Sequence, residues 1–397
     1  RPPAPCTPAC GRTGGAGPAG LTLSLLLHRA GISSVVLEAK SRRYVEERIR
    51  AGVLEHTTVG LMSELGVAER LAREGLVHRG LEMRFGGKRR RIDLAALTGG
   101  RTITVYPQHD VVKDLIAARL AAGGEIRFEA DVTAIEGIEG TRPTIRFRQG
   151  GTDGSLTCDF IAGCDGFHGV CRPAMPASVL NVLERVYPFA WLGILAQAPP
   201  ASEELIYTNH KRGFSLLSMR TPRVTRLYLQ CAPDEDIAAW SDDRIWAELH
   251  LRNRDADGLT LNEGPIIQKG ITPMRSFVAE PMRHGRLFLM GDAAHIVPPT
   301  GAKGLNLAIN DVRVFAEAAV AFYGSGRTDL FDAYSDTCLE RVWRVQHFSW
   351  WMTSMLHRFP DASEFERRLQ LSELAFVTSN EAAGRALAEN YVGLPYE

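Results

Sequence analysis

A glycine-rich turn near the beginning of the chain constrains its fold more than any other feature. Gly15, Gly17 and Gly20 follow the spacing G-x-G-x-x-G, and the apolar run 21–29 directly after them predicts a buried helix. A β-branched run over 32–38 predicts the next strand, and Glu38 ends it about 20 residues after the turn, as dinucleotide-binding units require. The glycines let a pyrophosphate approach the helix N-terminus, and the acid accepts hydrogen bonds from a ribose. The segment therefore predicts a Rossmann-like nucleotide-binding unit.

The segment before this turn fits the interpretation poorly. A dinucleotide-binding turn follows an apolar strand, whereas residues 1–14 are rich in proline and polar residues. Either the first strand is irregular, or this end of the chain is not what the fold was built on. A lone glycine triad is also compatible with a simple glycine-rich loop, but the helix, strand and acid in register favour nucleotide binding.

Two further turns follow apolar strand-like runs. The run 286–290 would deliver Asp292 to the carboxyl end of a strand, where ligands bind in open α/β sheets. The sequence Pro-Pro-Thr-Gly at 298–301 then predicts a turn into a helix near 303–306, whose N–H groups would face an anionic ring. The run 158–166 likewise ends in an acid–glycine pair that contains Asp165. Each turn alone is compatible with an ordinary connection, but the three together are typical of a flavin site.

The order of the predicted elements indicates the domain organisation. Helical spacing covers 51–73 and 110–122, strand-like runs lie between and after these helices, and 186–230 is rich in strands. We therefore predict an α/β (α+β) fold. Its parts are a discontinuous Rossmann-like FAD-binding domain (1–180 and 270–345), an inserted sheet-rich substrate-binding domain (181–269, with parts of 70–105) and a helical C-terminal region (346–397).

Charge and cysteine usage exclude several classes of protein. Lysine plus arginine and aspartate plus glutamate are each 46 in 397 residues, so no bulk positive charge favours nucleic acid or a membrane surface. No apolar run reaches the ~18 residues of a membrane span, and 1–14 lacks the apolar stretch of a secretory signal. The seven cysteines are scattered without metal-ligand spacing, so we expect reduced thiols, no metal site and a cytoplasmic location. The basic run 88–91 predicts a solvated hairpin face without a function.

Longer stretches of the sequence resemble one family of enzymes. ERIRAGVLE, DFIAGCDGFHG, GDAAHIVPPTGAKGLNLA and ENYVGLPYE are similar to segments of the flavin-dependent aromatic hydroxylases that act on 4-hydroxybenzoate. The resemblance runs from Gly15 to Glu397. It implies an FAD-dependent monooxygenase that converts 4-hydroxybenzoate to 3,4-dihydroxybenzoate by hydroxylation at C3. The co-substrates would be dioxygen and NADPH or NADH, and a flavin C4a-hydroperoxide would donate the oxygen.

The resemblance assigns a group of side chains to the two ends of the substrate. Ser218, Arg220 and Tyr228 match the carboxylate-binding group, and a guanidinium with two hydroxyls suits that task. Tyr207 and Tyr391 match a pair of phenols that align with the substrate hydroxyl and pass its proton along a hydrogen-bonded chain. Without the resemblance, these residues would be an ordinary arginine, hydroxyls and aromatic side chains of the sheet.

Two more positions complete the predicted reaction site. His78 matches the far end of the proton chain, where an imidazole would exchange protons with solvent near neutral pH. The carbonyl of Pro299 matches an acceptor that faces the substrate ring, and two consecutive prolines would hold it rigidly. Without the resemblance, His78 would be an ordinary surface histidine.

The resemblance also assigns two sets of cofactor residues. The FAD set is Gly15, Gly17, Gly20, Glu38, Arg48, Gln108, Asp165, Asp292, Gly301, Lys303, Leu305 and Asn306. The NAD(P)H set is Tyr44, Arg48, Arg50, His168 and Arg275. Ala39 follows Glu38 where NADPH-preferring members usually carry a more polar, arginine-containing segment, and Lys40, Arg42 and Arg43 could replace that charge. We predict NADPH, with NADH left open.

Other interpretations remain at this point. The same chemistry could act on 4-aminobenzoate, 3-hydroxybenzoate or a dihydroxylated benzoate, although the tyrosine pair favours a para-hydroxyl group. A flavin-binding protein that does not catalyse is a second alternative, and only the unusual segment 1–14 supports it. The family is typically homodimeric, so we expect a homodimer, and the apolar residues 348–355 could supply an interface or belong to the core.

Overall fold

The computed structural model describes residues 15–48, 50, 52–254 and 258–396. The helices are α1 (Pro18–Arg29), α2 (Arg42–Glu47), α3 (His56–Glu64), α4 (Glu69–Glu74), α5 (Leu94–Leu97), α6 (Gln108–Ala121), α7 (Asp242–Asn253), α8 (Gly304–Ser325), α9 (Asp329–Asp332), α10 (Tyr334–Leu356), α11 (Glu364–Ser379) and α12 (Glu381–Val392).

The strands lie mainly between α1 and α8. They are β1 (Val35–Glu38), β2 (Val53–Leu54), β3 (Leu76–His78), β4 (Leu81–Phe85), β5 (Lys88–Ile92), β6 (Ile103–Val105), β7 (Glu125–Phe128), β8 (Ala130–Glu136), β9 (Thr144–Gln149), β10 (Thr152–Thr157), β11 (Ile161–Gly163), β12 (Asn181–Ala196), β13 (Ile206–Asn209), β14 (Ser215–Thr221), β15 (Val224–Cys231), β16 (Ile266–Glu280), β17 (Arg283–His284), β18 (Leu287–Leu289) and β19 (His295–Ile296).

The first helix and strand form the core of the nucleotide-binding unit. Pro18 is the first residue of α1, where its missing N–H costs no hydrogen bond, and α1 packs against α6 and α8. β1 ends at Glu38 and pairs in parallel with β7, while β11 pairs in parallel with β18. Parallel strands covered by helices are typical of doubly wound α/β folds, so the predicted Rossmann-like fold is confirmed. The prediction for 1–14 lies outside the described residues.

An eight-stranded sheet forms the second large part of the molecule. Its strand order is β19-β16-β12-β15-β14-β13-β4-β5, with the long strands β12 and β16 paired in antiparallel fashion. β13 is central to the site described below, because it pairs with β14 on one side and runs parallel to β4 on the other. β16 continues to Glu280 and so crosses the boundary expected at residue 270. The division into domains remains a prediction.

The C-terminal helices cover this sheet. α10 packs against β13 and β16, and α11 packs against β4 and β5. Phe348, Met352 and Met355 are buried in one apolar cluster together with Leu387 of α12. These residues of α10 therefore belong to the core, the second of the two roles expected for 348–355.

One helix expected from the sequence is divided in the structure. Residues 51–73 have continuous helical spacing, but β2, α3 and α4 occupy the described part of this range. Gly66 ends α3 because it adopts a φ of 74°, and the N–H of Val67 donates to the carbonyl of Met62 at 3.0 Å. The apolar period continues across the break, which is why the pattern alone suggested one helix.

The described residues bear on three further expectations. In that part of the chain no helix combines the length and apolar character needed to cross a membrane. Nor do its His, Cys, Asp and Glu side chains form a group of three or more that could hold a metal ion. The cysteines at 158, 164, 171, 231 and 338 are free thiols, whereas Cys6 and Cys10 lie outside the described residues. The cytoplasmic location stays a prediction.

Candidate active site

The N-terminus of α1 opens into a groove that suits the phosphates of a dinucleotide. Gly17 is the N-cap of α1 with extended backbone, and no side chain accepts a hydrogen bond from the first turn. Helices normally satisfy these N–H groups with a cap, so the free donors and the helix dipole form an anion site. Gly17, Pro18 and Ala19 line a groove of about 430 Å³.

Glu38 fixes the turn to the end of β1. Its carboxylate accepts hydrogen bonds from the N–H groups of Ala16 and Lys40 at 2.9 and 2.8 Å. Burial raises the pKa of Glu38, while the two backbone donors and the cations Lys40 and Arg48 oppose that shift. The carboxylate lines the groove, where it can accept further hydrogen bonds from ribose hydroxyls.

A second uncapped helix begins on the opposite side of this groove. Residues 299–301 form a single 3₁₀ turn, Ala302 adopts a left-handed φ of 55°, and α8 then begins at Gly304. No side chain caps α8 at its N-cap Lys303, and Gly304 and Leu305 line the groove. Its N–H groups and dipole can therefore stabilise negative charge on a bound ring system. The turn and helix predicted for 298–306 are confirmed.

The groove is continuous with a larger cavity of about 990 Å³ under the eight-stranded sheet. Arg48, Arg50, Gln108, Asp292 and Leu305 line both spaces. A long ligand can thus place its phosphates at α1 and its ring at the junction, beside a small molecule in the cavity. Because the donors, the acid and the two helix ends all suit it, the residues present fit FAD.

One face of the sheet forms a wall of the cavity. Register places Tyr207 of β13 opposite Leu216 of β14, and Leu216 opposite Tyr228 of β15. Ser218 and Arg220 follow Leu216 at intervals of two residues, so their side chains lie on this same face. Tyr207, Ser218, Arg220 and Tyr228 all line the cavity, as the strand alternation predicts.

Arg220 is a buried cation whose charge no carboxylate of the described residues balances. Its side chain is 7% exposed, Nη1 donates to the Met219 carbonyl at 2.9 Å, and Nε has no hydrogen-bond partner there. Burial lowers its pKa. For Tyr228, burial would raise the pKa, but Arg220 and Arg226 together lower it. A buried guanidinium is stable only when paired, so this end of the cavity is built to receive an anion.

Two buried phenols lie at another part of the wall. The hydroxyl of Tyr207 is hydrogen-bonded to that of Tyr391, and the Thr300 carbonyl accepts from Tyr207 at 3.2 Å. Burial raises the pKa of both phenols, so both are neutral near neutral pH and can relay a proton only by accepting one as they donate another. Pro299 lines the cavity next to this pair, and its carbonyl also accepts from the Ala302 N–H at 2.9 Å.

Lys303 lies between these phenols and the flavin side of the cavity. Its Nζ donates to Glu55 at 2.6 Å and to the carbonyl of Tyr391 at 3.0 Å. Burial lowers the pKa of Lys303, and the Glu55 carboxylate opposes that shift. The sequence indicated the lysine but not its counter-ion Glu55, which lies 248 residues away in the chain. The backbone N–H of Glu55 donates to the side-chain oxygen of Asn306 at 2.9 Å.

The predicted site residues fall into three groups. The groove is lined by Gly17, Glu38, Tyr44, Arg48, Arg50, Gln108, His168, Asp292 and Leu305. The cavity is lined by Arg48, Arg50, Gln108, Tyr207, Ser218, Arg220, Tyr228, Arg275, Asp292, Pro299, Lys303 and Leu305. The predicted residues that border neither space are Gly15, Gly20, His78, Asp165, Gly301, Asn306 and Tyr391.

The side chains of Asp165 and Asn306 contact other parts of the protein, and their contact with FAD stays a prediction. Asp165 accepts a hydrogen bond from the Cys171 N–H at 2.8 Å inside its own turn, and burial raises its pKa to about 6. The amide of Asn306 accepts from the Glu55 N–H and donates to the Val53 carbonyl, both at 2.9 Å, which ties α8 to β2. Both side chains therefore help to organise the walls, while Oδ1 of Asp165 has no hydrogen-bond partner among the described residues.

The position of His78 differs from the one expected from the sequence. The expectation was an imidazole that exchanges protons with solvent near neutral pH, but the side chain is fully buried at the end of β3. Neither ring nitrogen has a hydrogen-bond partner among the described residues, and burial lowers the pKa to about 4. The ring is thus neutral at neutral pH and is not hydrogen-bonded to Tyr391.

Sequence reasoning missed two residues of the cavity wall and one residue that supports the wall from behind. Arg226 lines the cavity two residues before Tyr228 on β15, so the alternation of the strand could have revealed it. Trp191 also lines the cavity, and its indole N–H donates to Nε2 of His357 at 2.6 Å. No local pattern connects these two positions, which are 166 residues apart.

The fold and the site define a flavin-dependent aromatic monooxygenase: a dinucleotide groove for FAD opens into a cavity with a buried cation and paired phenols. The chain matches the FAD binding domain family over residues 14–349 and belongs to that family. It is 49% identical over 383 residues to p-hydroxybenzoate hydroxylase of Acinetobacter baylyi (strain ATCC 33305 / BD413 / ADP1), covering 96% of this chain and 95% of the relative.

Solved structures show the same fold at lower identity. The p-nitrophenol 4-monooxygenase of Pseudomonas putida DLL-E4 has a TM-score of 0.84 and 18% identity, with 99% of both chains covered. A ternary complex of aklavinone-11 hydroxylase with FAD and aklavinone has a TM-score of 0.73 and 20% identity, covering 89% of this chain and 69% of that one. These comparisons support the fold alone.

Proposed function

We propose that this protein hydroxylates 4-hydroxybenzoate at C3 to give 3,4-dihydroxybenzoate, with dioxygen and NADPH as co-substrates. The observation that carries the proposal is Arg220, a buried guanidinium in the cavity without a carboxylate partner among the described side chains. A benzoate supplies that carboxylate. The 49% identical relative is itself a p-hydroxybenzoate hydroxylase, which supports the same substrate here.

The carboxylate end of the substrate would be held by three side chains of one sheet face. The planar guanidinium of Arg220 can form two parallel hydrogen bonds to a carboxylate, and the hydroxyls of Ser218 and Tyr228 can each donate one more. Arg220 lies four residues along β14 from Leu216, the partner of Tyr207, which is about 13 Å of extended strand. Side chains reaching inward from both positions leave room for one aromatic ring between them.

The hydroxyl end would face Tyr207. This phenol can accept the substrate proton only as it passes its own proton to Tyr391, since its raised pKa keeps it neutral. The resulting phenolate ring is more electron-rich at the position ortho to its oxygen, where hydroxylation is proposed. His78 is not hydrogen-bonded to this pair among the described residues, so we assign the relay to the two tyrosines, with solvent as the final acceptor of the proton. The Thr300 carbonyl only accepts a hydrogen bond that orients the Tyr207 hydroxyl.

Reduced FAD, when bound, activates dioxygen and supplies the electrophilic oxygen. The protein orients the two reactants: the α1 end holds phosphates, the α8 end lies beside the ring system, and the sheet wall holds the benzoate. Aromatic and aliphatic side chains around Tyr207 exclude water from the reacting atoms.

The coenzyme would approach through the basic rim of the same cleft. Arg48, Arg50 and His168 line the groove, while Arg275 lies 4.9 Å over the Phe167 ring and pairs with Glu184 at 3.1 Å. The arginines among them suit the phosphates of NADPH, the coenzyme we propose.

Lys40 is the cation that we propose as the partner of the 2′-phosphate of NADPH. Lys40 lines the groove, whereas Arg42 and Arg43 form ion pairs with acids one helical turn away. The ratio of kcat/KM for NADPH and NADH tests this choice, and a ratio near one or in favour of NADH would overturn it.

We also propose a homodimer in solution. One face of α11 exposes Phe365, Leu369 and Phe376, whose side chains are 71%, 55% and 57% exposed. Adjacent exposed apolar side chains of this size mark an interaction surface. Light scattering after size exclusion should give twice the 43.6 kDa chain mass, and a monomer at micromolar concentration would contradict this assignment.

The test of the function is a purified, yellow, FAD-loaded protein assayed for NAD(P)H oxidation. We expect 4-hydroxybenzoate to stimulate oxidation more than 4-aminobenzoate, 3-hydroxybenzoate or 3,4-dihydroxybenzoate do. Equal stimulation by another of these benzoates would reassign the substrate. Bound FAD without stimulation by any of them would favour a flavin-binding protein that does not catalyse.

A further inference from the structure

A second cleft lies on the other side of β13 from the substrate cavity. Side chains alternate along this strand, so Tyr207 faces the cavity while Thr208 lines the second cleft. The cleft measures about 360 Å³ and is formed by the β4–β5 turn, the residues after β13, the end of α7 and the first half of α11. It shares no lining residue with the FAD groove or the substrate cavity.

This second cleft is strongly cationic. The described residues of its lining include seven cations, one histidine (His210) and a single acid, Glu364; the cations are Arg84, Lys88, Lys211, Arg252, Arg254, Arg358 and Arg367. That acid pairs at 3.4 Å with Arg368, which is outside the cleft. The positive charge is therefore concentrated here in a chain whose formal net charge is zero.

Two of the arginines are buried and form ion pairs with glutamates that lie outside the cleft lining. Arg84 contacts Glu82, and Nε of Arg252 lies 3.1 Å from Glu248. These pairs fix the back wall and use the carboxylates that could otherwise balance the front. Burial lowers the pKa of His210, and the neighbouring Arg252, Lys211 and Arg212 lower it further, as expected for a site of positive potential.

The cations at the front have no carboxylate partner among the residues that the structure describes. Lys88 follows the turn at Gly86 and Gly87, whose φ angles of 54° and 72° are those of a tight two-residue hairpin. The guanidinium of Arg358 donates to the Lys211 carbonyl, and Nε of Arg367 is buried with no hydrogen-bond partner in the same part of the chain. Cations this close repel one another where the described residues supply no counter-ion, so the arrangement gains stability from a bound anion.

We propose that this cleft binds a small anion with two or more negative charges, carried on phosphate or carboxylate groups. Planar guanidinium groups pair with both kinds of oxygen, and two arginines with a lysine converge on one small space. Phe85 and Leu371 give the cleft an apolar side, so the ligand carries its charges on a compact carbon or phosphate framework. The proposal does not depend on the proposed function, because the cleft is separate from the reaction site.

The test is isothermal titration calorimetry of the FAD-loaded protein with pyrophosphate and, separately, with citrate. Ionic strength is held constant with sodium chloride, so that general screening is the same in every titration. We expect saturable binding of at least one of the two anions. Binding of pyrophosphate alone assigns a phosphate ligand, binding of citrate alone assigns a polycarboxylate, and binding of both assigns recognition by charge.

Three variants locate the binding. Arg367→Gln and Lys88→Gln should each weaken binding by at least tenfold, whereas Arg385→Gln should change it by less than twofold. Arg385 is the matched control because it lies on α12, which packs against α11, with a 48% exposed side chain, and neither it nor its partner Glu381 lines the cleft. If Arg367→Gln fails to fold, Lys88→Gln at the exposed hairpin carries the test.

Several results would overturn the proposal. They are no saturable binding of either anion, an equal loss in the Arg385→Gln control, or unchanged binding in both cleft variants. The last result would place the anion in the basic rim of the coenzyme cleft instead.

Discussion

The hydroxyl groups of Tyr207 and Tyr391 are hydrogen-bonded to each other although 184 residues separate them in the chain. β13 brings Tyr207 to the wall of the substrate cavity, and α12 brings Tyr391 behind it. Only one of the two phenols borders the cavity, so the pair leads from the cavity into the protein. This arrangement supports the proposed proton relay over a simple pair of substrate ligands.

The hydroxyl of Tyr207 should contribute to the rate of hydroxylation and not to the affinity for the substrate. We expect Tyr207→Phe to slow hydroxylation by about 100-fold, the order of a general acid–base contribution, while the Kd for 4-hydroxybenzoate changes little. Rapid-reaction measurement of product formation and a separate binding titration give the two quantities. Tyr187→Phe is the control, because Tyr187 is also buried in the sheet but does not border the cavity. Fully coupled hydroxylation at the normal rate in Tyr207→Phe would remove Tyr207 from the relay.

Arg220 should determine the affinity for the carboxylate. Arg220→Ala leaves a buried carboxylate unpaired, which costs about 2 kcal/mol, or roughly 30-fold in Kd. The spectral change of bound FAD on titration with 4-hydroxybenzoate measures this affinity. Arg223→Gln, in the exposed turn between β14 and β15, should leave it unchanged. An affinity within twofold of the parent in Arg220→Ala would exclude Arg220 from the substrate site.

His78 should make stability depend on pH. Its pKa is lowered from 6.5 to about 4 in the folded state, mainly by burial. The unfolded chain therefore binds a proton below about pH 6.5 that the folded protein does not. Stability is fully present above that pH and falls as the pH drops toward 4, by up to about 3 kcal/mol.

Replacement of the ring tests this linkage. His78→Leu should flatten the decrease of the thermal midpoint between pH 7 and pH 4.5, whereas His250→Gln, at a site where the side chain is 46% exposed, should leave it unchanged. The same pH dependence in His78→Leu and the parent protein would show that His78 does not titrate as its burial requires.

The Trp191–His357 hydrogen bond should stabilise one wall of the cavity. His357 is stacked on Phe189 with ring centroids 4.7 Å apart, and burial lowers its pKa to about 3, so its neutral ring can accept from the indole. His357→Phe keeps the ring but leaves the indole N–H unpaired, which should cost about 1–3 kcal/mol of unfolding free energy. The same change in a Trp191→Phe background should cost less, and equal costs in both backgrounds would contradict the coupling.

Local patterns were enough to predict the elements that bind the cofactor. The glycine spacing, the acid at the end of β1 and the turn before α8 each depend on residues close in sequence, and the structure has all three. The alternation of β14 likewise placed Ser218 and Arg220 on one face. The basic run 88–91 was correctly expected on a hairpin, but its position beside Arg358 and Arg367 depends on packing with distant helices.

Burial and distant contacts account for what the sequence could not predict. His78 is fully buried in the folded chain, and only packing of the surrounding elements determines this. Asp165 and Asn306 also accept hydrogen bonds from backbone N–H groups of the protein, and their residue types alone do not predict these contacts. Glu55 and His357 become important only through partners 248 and 166 residues away. Such relationships arise from the tertiary fold and leave no periodic pattern in the sequence.

The most direct test of the account is the product formed from 4-hydroxybenzoate by the FAD-loaded protein with NADPH in air-saturated buffer. Quantified by liquid chromatography with mass detection, 3,4-dihydroxybenzoate should accumulate as one molecule for each NADPH oxidised. NADPH oxidation that yields only hydrogen peroxide, or a product hydroxylated at another ring position, would contradict the proposed orientation of the substrate between Arg220 and Tyr207.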